Sequence, residues 1–287
     1  SRVGIITVAC ACWLIAEHAL IAREQPRGVL RVSFVDVGQG DAALIDLPDG
    51  RLLLVDTGQG GRHPAGRELR ALLAARRRMR VDVLVITHGH PDHYGGLDAL
   101  LDELAVGEVW LNGQLLVEEH DGAMEALLSK ALRLGVRLRF APELCGTTRE
   151  FGGARIELLW PCPGYDPLLG LNDNSMTLRL TFGRRSFLLT GDLEADAERR
   201  LLTHGLVRGA DVLKVAHHGS RTSTTTRFVR AVRPSLAVIS SGAGNGYGHP
   251  SPIVVARLRE AGVEVLRTDR GGGVIVSTDG ESLEVRR

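Results

Sequence analysis

Thr87-His88-Gly89-His90-Pro91-Asp92-His93 follows an apolar strand pattern over 81–87 and leads straight into a helical pattern over 94–104. Four potential metal ligands, His88, His90, Asp92 and His93, fall within six residues. Imidazole and carboxylate are the borderline donors that Zn, Mn and Fe accept. His88 and His90, two apart in an extended segment, project to one side and can hold one ion. Asp92 and His93 open the helix and can turn toward a second. Pro91 suits a first helical turn, and Gly95-Gly96 lets backbone pass close by. A loop that was only polar would have no need of three histidines and an aspartate at this spacing. The stretch predicts a divalent-metal site at a strand-to-helix junction.

Other apolar runs also end in ionisable residues. Asp56 closes LLLVD ahead of TGQGG, Asp192 closes FLLTGD, His217-His218 close VLKVA, and His249 follows SGAGNGYG. A single strand-end Asp reads as a turn residue or a cap. Four such ends beside 87–93 predict the rim of a site. Asp192 has the chemistry of a carboxylate bridging two metals, and Asp56 that of an acceptor fixing an imidazole tautomer.

The chain around these residues has 287 positions, 44% hydrophobic and 24% charged, within the globular range. Thirty-five basic against thirty-four acidic side chains argue against a simple basic nucleic-acid clamp. Only Lys130 and Lys214 are lysines. Short β patterns at 29–37, 42–47 and 51–56 read as an antiparallel meander. Strands and helices alternate beyond them, which predicts two sheets, each covered by helices, an α+β layout. Within a helix read at 63–78 and just after it, Arg76, Arg77, Arg78 and Arg80 read as solvated surface. A helix at 223–232 is expected to be capped by Ser223. Cys10 and Cys12 read as packing groups. Cys145 and Cys162 flank a hairpin-like stretch and could pair in an oxidising space, but free thiols are favoured. Residues 3–16 carry no charge and span about 21 Å as a helix. Residues 1–24 therefore read as the remnant of a transmembrane helix and a linker, ahead of a single catalytic-type domain at 29–287.

Several stretches carry a family resemblance: FVDVGQGDAALI (34–45), LLLVDTG (52–58), ITHGHPDHYGG (86–96), NDNSMTLRL (172–180), FLLTGDLEADAE (187–198), LKVAHHGSRTS (213–223) and YGHPSP (247–252). H-x-H-x-D-H with a later strand-end Asp and a later His resembles the metallo-β-lactamase superfamily. The set as a whole resembles the carboxy-terminal domain of the ComEC family of competence-related DNA-uptake channels, over almost all of 29–280. The resemblance implies an αββα four-layer sandwich, which agrees with two covered sheets. It also implies two divalent ions, Zn²⁺ or Mn²⁺. His88 and His90 would hold the first, Asp92 and His93 the second, and Asp192 would bridge. One of His217 or His218 would complete the second site, and His249 would be a ligand, proton donor or phosphate contact.

One departure stands out. Dinuclear members usually carry another first-site His between the main motif and the bridging Asp, where this chain has only His120. NDNS at 172–175 occupies the approximate slot, so Asn174 or Asp173 is expected as a weaker oxygen ligand, favouring an exchangeable ion such as Mn²⁺. Asp92 and Asp192 would orient the attacking water. Ser220, Thr222 and backbone N–H groups of 218–221 or GQGD would bind phosphate oxygens; Ser220 and Thr222 read equally well as helix caps. The implied activity is phosphodiester hydrolysis, a nuclease degrading the non-imported strand, with single-stranded DNA as the favoured substrate. The implied partners are the membrane channel portion of the same polypeptide and other DNA-uptake proteins, with this domain outside the cytoplasm. Arg23 and Arg27, just after the apolar run, argue for the other side by the positive-inside tendency. The alternatives are a superfamily hydrolase of a small phosphodiester, lactone or thioester, and a non-catalytic DNA-guiding module.

Overall fold

A computed structural model describes residues 2–59, 65–117 and 122–287. An N-terminal helix, α1 (Arg2–Glu24), precedes a first run of β1 (Leu30–Phe34), β2 (Ala43–Asp46), β3 (Leu52–Val55), α2 (Ala65–Ala75), β4 (Arg80–Ile86), α3 (Pro91–Tyr94), α4 (Leu97–Glu103), β5 (Ala105–Leu111), α5 (Gly122–Arg133), β6 (Arg137–Phe140) and α6 (Ala141–Leu144). A second run comprises β7 (Thr148–Phe151), β8 (Ala154–Trp160), β9 (Thr177–Phe182), β10 (Arg185–Leu189), α7 (Ala195–Thr203), β11 (Val212–Lys214), α8 (Thr226–Val232), β12 (Leu236–Ile239), α9 (Pro252–Glu260), β13 (Glu264–Arg267) and α10 (Thr268–Gly271). The chain then returns to the first sheet with β14 (Val274–Thr278) and β15 (Leu283–Arg286).

The strands form an eight-stranded sheet, β15-β14-β1-β2-β3-β4-β5-β6, and a seven-stranded one, β13-β12-β11-β10-β9-β8-β7. Each mixes antiparallel hairpins with parallel helix crossovers: β3, β4, β5 and β6 run parallel in one, and β10, β11, β12 and β13 in the other. Alternation along the strands makes the layers. Leu53 and Val55 of β3 meet Phe187 and Leu189 of β10 between the sheets. Leu52 and Leu54 face outward onto Leu69 and Leu73 of α2 and Leu97 and Leu101 of α4, while Leu188 faces Leu201 of α7 and Phe228 of α8. The result is the expected αββα sandwich.

Local departures from the sequence reading have local causes. The helix expected over 94–104 is two, α3 and α4, separated at Gly95-Gly96. The helix expected from 223 starts at Thr226, because Thr225 Oγ1 accepts from Phe228 N while Ser223 Oγ donates to the Ala216 carbonyl. His63 and His120 lie outside the described residues. Arg76 and Arg78 are not solvated surface: they are buried on Asp46, which also takes Arg31, and Arg76 bonds Ser33 Oγ as well. Burial, together with the neighbouring Arg31 and Arg78, pushes the Arg76 pKa down to about 10 in spite of Asp46. The free-thiol expectation for Cys145 and Cys162 is also overturned. The β7–β8 hairpin folds back between them, bringing their Cα atoms to 5.6 Å, and they form a disulfide.

Helix α1 is 23 residues long and continues past the charge-free run, to about 35 Å. It is not a core helix, since Trp13 is 64% and Ile6 62% exposed. Its C-terminal end is tied to the domain: Gln25 Nε2 donates to the Arg76 and Arg77 carbonyls, and Arg77 Nη1 pairs with Glu17 at 3.0 Å. These ties lie at the edge of the sandwich where β4 begins.

Candidate metal centre

The opposite edge collects the C-terminal ends of β3, β4, β10, β11 and β12. Gly191, at φ +51°, closes the end of β10; a Cβ there would lie 2.8 Å from Ser175 Cβ and 3.0 Å from Thr87 Cβ. Only glycine lets the Asp192 loop approach the 87–93 segment this closely. After β11, His217 and His218 both adopt left-handed backbone, φ 48° and 52°. Such non-glycine conformations cost about 1–3 kcal/mol each and gather at functional sites. Here they send neighbouring rings to different places, His218 inward and His217 to the rim.

Asp192 Oδ2 is the hub. It lies 3.3 Å from His93 Nε2, 3.4 Å from His218 Nε2, 3.8 Å from His217 Nε2 and 4.0 Å from His88 Nε2. Asp92 Oδ2 is 3.3 Å from His218 Nε2 and 3.9 Å from His93 Nε2. On the other side, His88 Nε2 and His90 Nδ1 are 2.9 Å apart. Bonds of about 2.0–2.1 Å in a tetrahedron put donor atoms about 3.3 Å apart, which is the spacing of the His93, His218, Asp92 and Asp192 group. Buried and without a hydrogen-bond partner are His93 Nε2, His218 Nε2, Asp192 Oδ1 and Asp41 Oδ1. Several polar atoms orphaned at one point fit a cation, because each would otherwise carry an uncompensated desolvation cost.

Around this group a ring of acceptors sets the imidazoles. Asp56 Oδ2 takes His93 Nδ1 at 2.8 Å while its carboxylate also accepts from Thr87 N and Thr87 Oγ1. His218 Nδ1 lies 3.1 Å from the Ser240 carbonyl, and His217 Nδ1 2.9 Å from Glu194 Oε1. Each acceptor holds a proton on Nδ1 and frees Nε2 to face Asp192. Asp41 forms a buried ion pair with Lys214 and lies 3.5 Å from His218 Nδ1. Burial disfavours its charge, yet Lys214 and His218 prevail and hold its pKa at about 2. Burial likewise opposes charge on Asp192, His93 and His218. The mutual field wins: Asp192 stays well below the carboxylate range, and both imidazoles rise well above theirs. A field that draws protons onto buried histidines also draws divalent cations.

The remaining expected residues fall elsewhere. His249 stands at the mouth, its ring 5.5 Å from that of His217 and 6.4 Å from that of His218. Its pKa is lowered by partial burial and by those two histidines. Ser220 does not reach the hub; its Oγ is in a chain through Thr222 Oγ1 to Glu194. Asn174 is a correction. Its amide is spent on the loop over 166–170, Oδ1 accepting from Asp166 N and Nδ2 donating to the Asp166 and Gly170 carbonyls. Asp173 instead accepts from Glu194 N and Ala197 N at the start of α7. Sequence reasoning missed Asp41, Lys214 and Glu194 as parts of the site. A cleft of about 450 Å³ opens beside His88, walled by Leu111, Gln114 and Tyr165.

The metallo-beta-lactamase superfamily model matches residues 35–243. Among curated proteins, ComE operon protein 3 of Bacillus subtilis (strain 168) is 32% identical over 257 residues, 85% of this chain and 32% of that protein. Competence protein ComA of Neisseria gonorrhoeae is 33% identical over 254 residues, 87% of this chain and 32% of that protein. The chain thus spans about a third of the length of the curated relatives it matches. Among solved structures, the metallo-beta-lactamase fold protein YhfI from Bacillus subtilis superposes with a TM-score of 0.54 at 14% identity, covering 85% of this chain and 98% of that one.

Proposed function

The chain belongs to the metallo-beta-lactamase superfamily, and from that premise we propose that this metal-dependent hydrolase cleaves phosphodiesters, with single-stranded DNA as its substrate. The observation that carries the hydrolase reading is the convergence of orphaned buried donors on Asp192. A DNA-guiding surface alone would have no use for them. Similarity to competence proteins supports DNA as the substrate and a membrane channel and other DNA-uptake proteins as partners.

His93, His218 and Asp92 would hold one ion, His88 and His90 the other, with Asp192 between them. Divalent cations held by these residues would supply Lewis acidity, the chemistry that lowers the pKa of water toward neutral and offsets phosphate charge. The protein's own groups do the rest. Asp56, the Ser240 carbonyl and Glu194 fix the three imidazole orientations. His249, kept neutral at the mouth, donates a hydrogen bond to a phosphate oxygen. With Asn174 withdrawn, the His88–His90 side has fewer donors than the other, which supports a more weakly held, exchangeable ion there, Zn²⁺ or Mn²⁺ remaining the candidates at both positions.

A membrane-anchored position with the domain outside the cytoplasm draws support from two features. Helix α1 exposes Ile6, Val8, Trp13, Leu14 and Ile15 ahead of its tie at Glu17, the apolar surface that a membrane-inserted helix presents, and the Cys145–Cys162 disulfide suits an oxidising space.

The test is digestion of a labelled single-stranded oligonucleotide by the full chain with Mn²⁺ or Zn²⁺, with chelator and Asp192→Ala as controls. Metal-dependent cleavage lost in Asp192→Ala, with unchanged circular dichroism, is the expected result. Metal binding without DNA cleavage, but with turnover of bis(p-nitrophenyl) phosphate, overturns the nuclease reading in favour of a small phosphodiester.

A further inference from the structure

The net charge of +1 conceals an uneven distribution. Between Asp211 and Glu260 there is no acidic residue, while Lys214, Arg221, Arg227, Arg230, Arg233, Arg257 and Arg259 all fall in that interval. Lys214 is buried on Asp41, and Arg257 donates to the Ser223 and Thr224 carbonyls. The others are exposed. Arg221, Arg227, Arg230 and Arg233 pair with no carboxylate among the described residues. Arg70, Arg185, Arg199 and Arg200, by comparison, each sit on an acidic neighbour, and what sets the 211–260 stretch apart is that no carboxylate falls between its ends.

The fold places these unspent charges in a row. Arg221 is in the loop that leads out of His217-His218, so the row starts at the metal edge. Helix α8 then runs toward the opposite edge, because β11 and β12 are parallel and it must return the chain to the start of β12. Arg227 and Arg230, three apart, share a side of that helix. Arg230, Arg233 and Arg257 line a groove of about 410 Å³ between α8 and α9, with Glu260 the one carboxylate among the described residues of its lining. Guanidinium forks match phosphate oxygens in pairs.

Building on the phosphodiesterase reading, we propose that the α8–α9 face is a track for the phosphate backbone of a single nucleic-acid strand whose scissile bond lies at the metal cluster. Continuity with the histidine loop favours a strand over a lipid surface, and so does position, since α1 is tied to residues of the first sheet and α2, not to this face. Contacts of this kind are sequence-independent and salt-sensitive.

The test measures binding of a labelled oligothymidylate to the full chain in detergent, by anisotropy across a salt series in EDTA, for wild type and R227Q/R230Q/R233Q. The triple variant is expected to bind on the order of tenfold more weakly. Its slope of log K against log salt should be shallower by about 2, at about 0.7 per lost phosphate contact, with an unchanged melting temperature. Unchanged affinity and slope overturn the track. Intact oligonucleotide binding with lost binding to phosphatidylglycerol vesicles also overturns it, assigning the face to lipid. Because binding is read without turnover, a wild-type protein that cuts no DNA counts against the hydrolase reading alone.

Discussion

Asp56 touches no candidate ion, yet the placement of His93 depends on it. Replacing it by Asn keeps the shape but lets the amide present N–H where Nδ1 needs an acceptor. Asp56→Asn is expected to lower metal affinity about 10- to 100-fold, read by competition with a chelating dye, with the melting temperature nearly constant. Lys214 plays a different part. Its buried pair with Asp41 joins positions 173 apart in sequence. Lys214→Met leaves Asp41 buried without its principal counter-charge and should cost about 3–5 kcal/mol in denaturant unfolding, while Lys214→Met/Asp41→Asn recovers part of it. The ligand-type residues of 87–93 could be read from the chain because they are contiguous. Asp41 could not, since inside DVGQGD it looks like a turn residue until Lys214 is seen beneath it. A signal was present: a lysine at the end of a buried strand in a chain whose cations are nearly all arginine. Asn174 misled for the converse reason, as spacing placed it in the right slot while the loop over 166–170 took its amide. The choice between His217 and His218 turns on two backbone angles that no spacing encodes.

At the scale of elements, strands were legible from alternation and most helices from their periodicity. Ends were not, because capping is decided by which hydroxyl reaches a free N–H. Thr225, not Ser223, does so for α8, and Thr225→Ala should cost about 1 kcal/mol of stability. The junction of α7 with α8 also carries a pH dependence. Glu198 is buried and accepts from Thr224 N and Thr225 N, yet burial prevails and its carboxyl is pushed from 4.5 up to about 7. The folded chain therefore keeps a proton between those values that the unfolded chain has released. This contribution to stability is complete below pH 4.5 and disappears as pH rises through about 7. Glu198→Gln should flatten that decline, seen as a smaller difference in unfolding midpoint between pH 5 and pH 8.

For the molecule as a whole, two features that spacing does not encode alter the picture of the sandwich. The Cys145–Cys162 bridge closes a loop with a sequence separation of 17. Chain-entropy arguments put its contribution at about 3 kcal/mol, so reductant should lower the melting temperature of the wild type and leave Cys145→Ala/Cys162→Ala unaffected. The pairing could not be assigned beforehand because it depends on the hairpin bringing both residues to one place. The buried cluster of Arg31, Arg76 and Arg78 on Asp46 was likewise invisible, as a run of arginines looks solvated until a buried carboxylate is found to hold it.

That cluster and the ties of Gln25 to the carbonyls beside it fix where α1 leaves the domain, at the start of β4. The histidines gather where β4 ends, seven residues away, or about 23 Å at 3.3 Å per residue. A bilayer gripping α1 would thus be held at arm's length from the reactive mouth, as a lamp is by its stand. Under the proposed activity, the products would leave from the face turned away from the lipid headgroups.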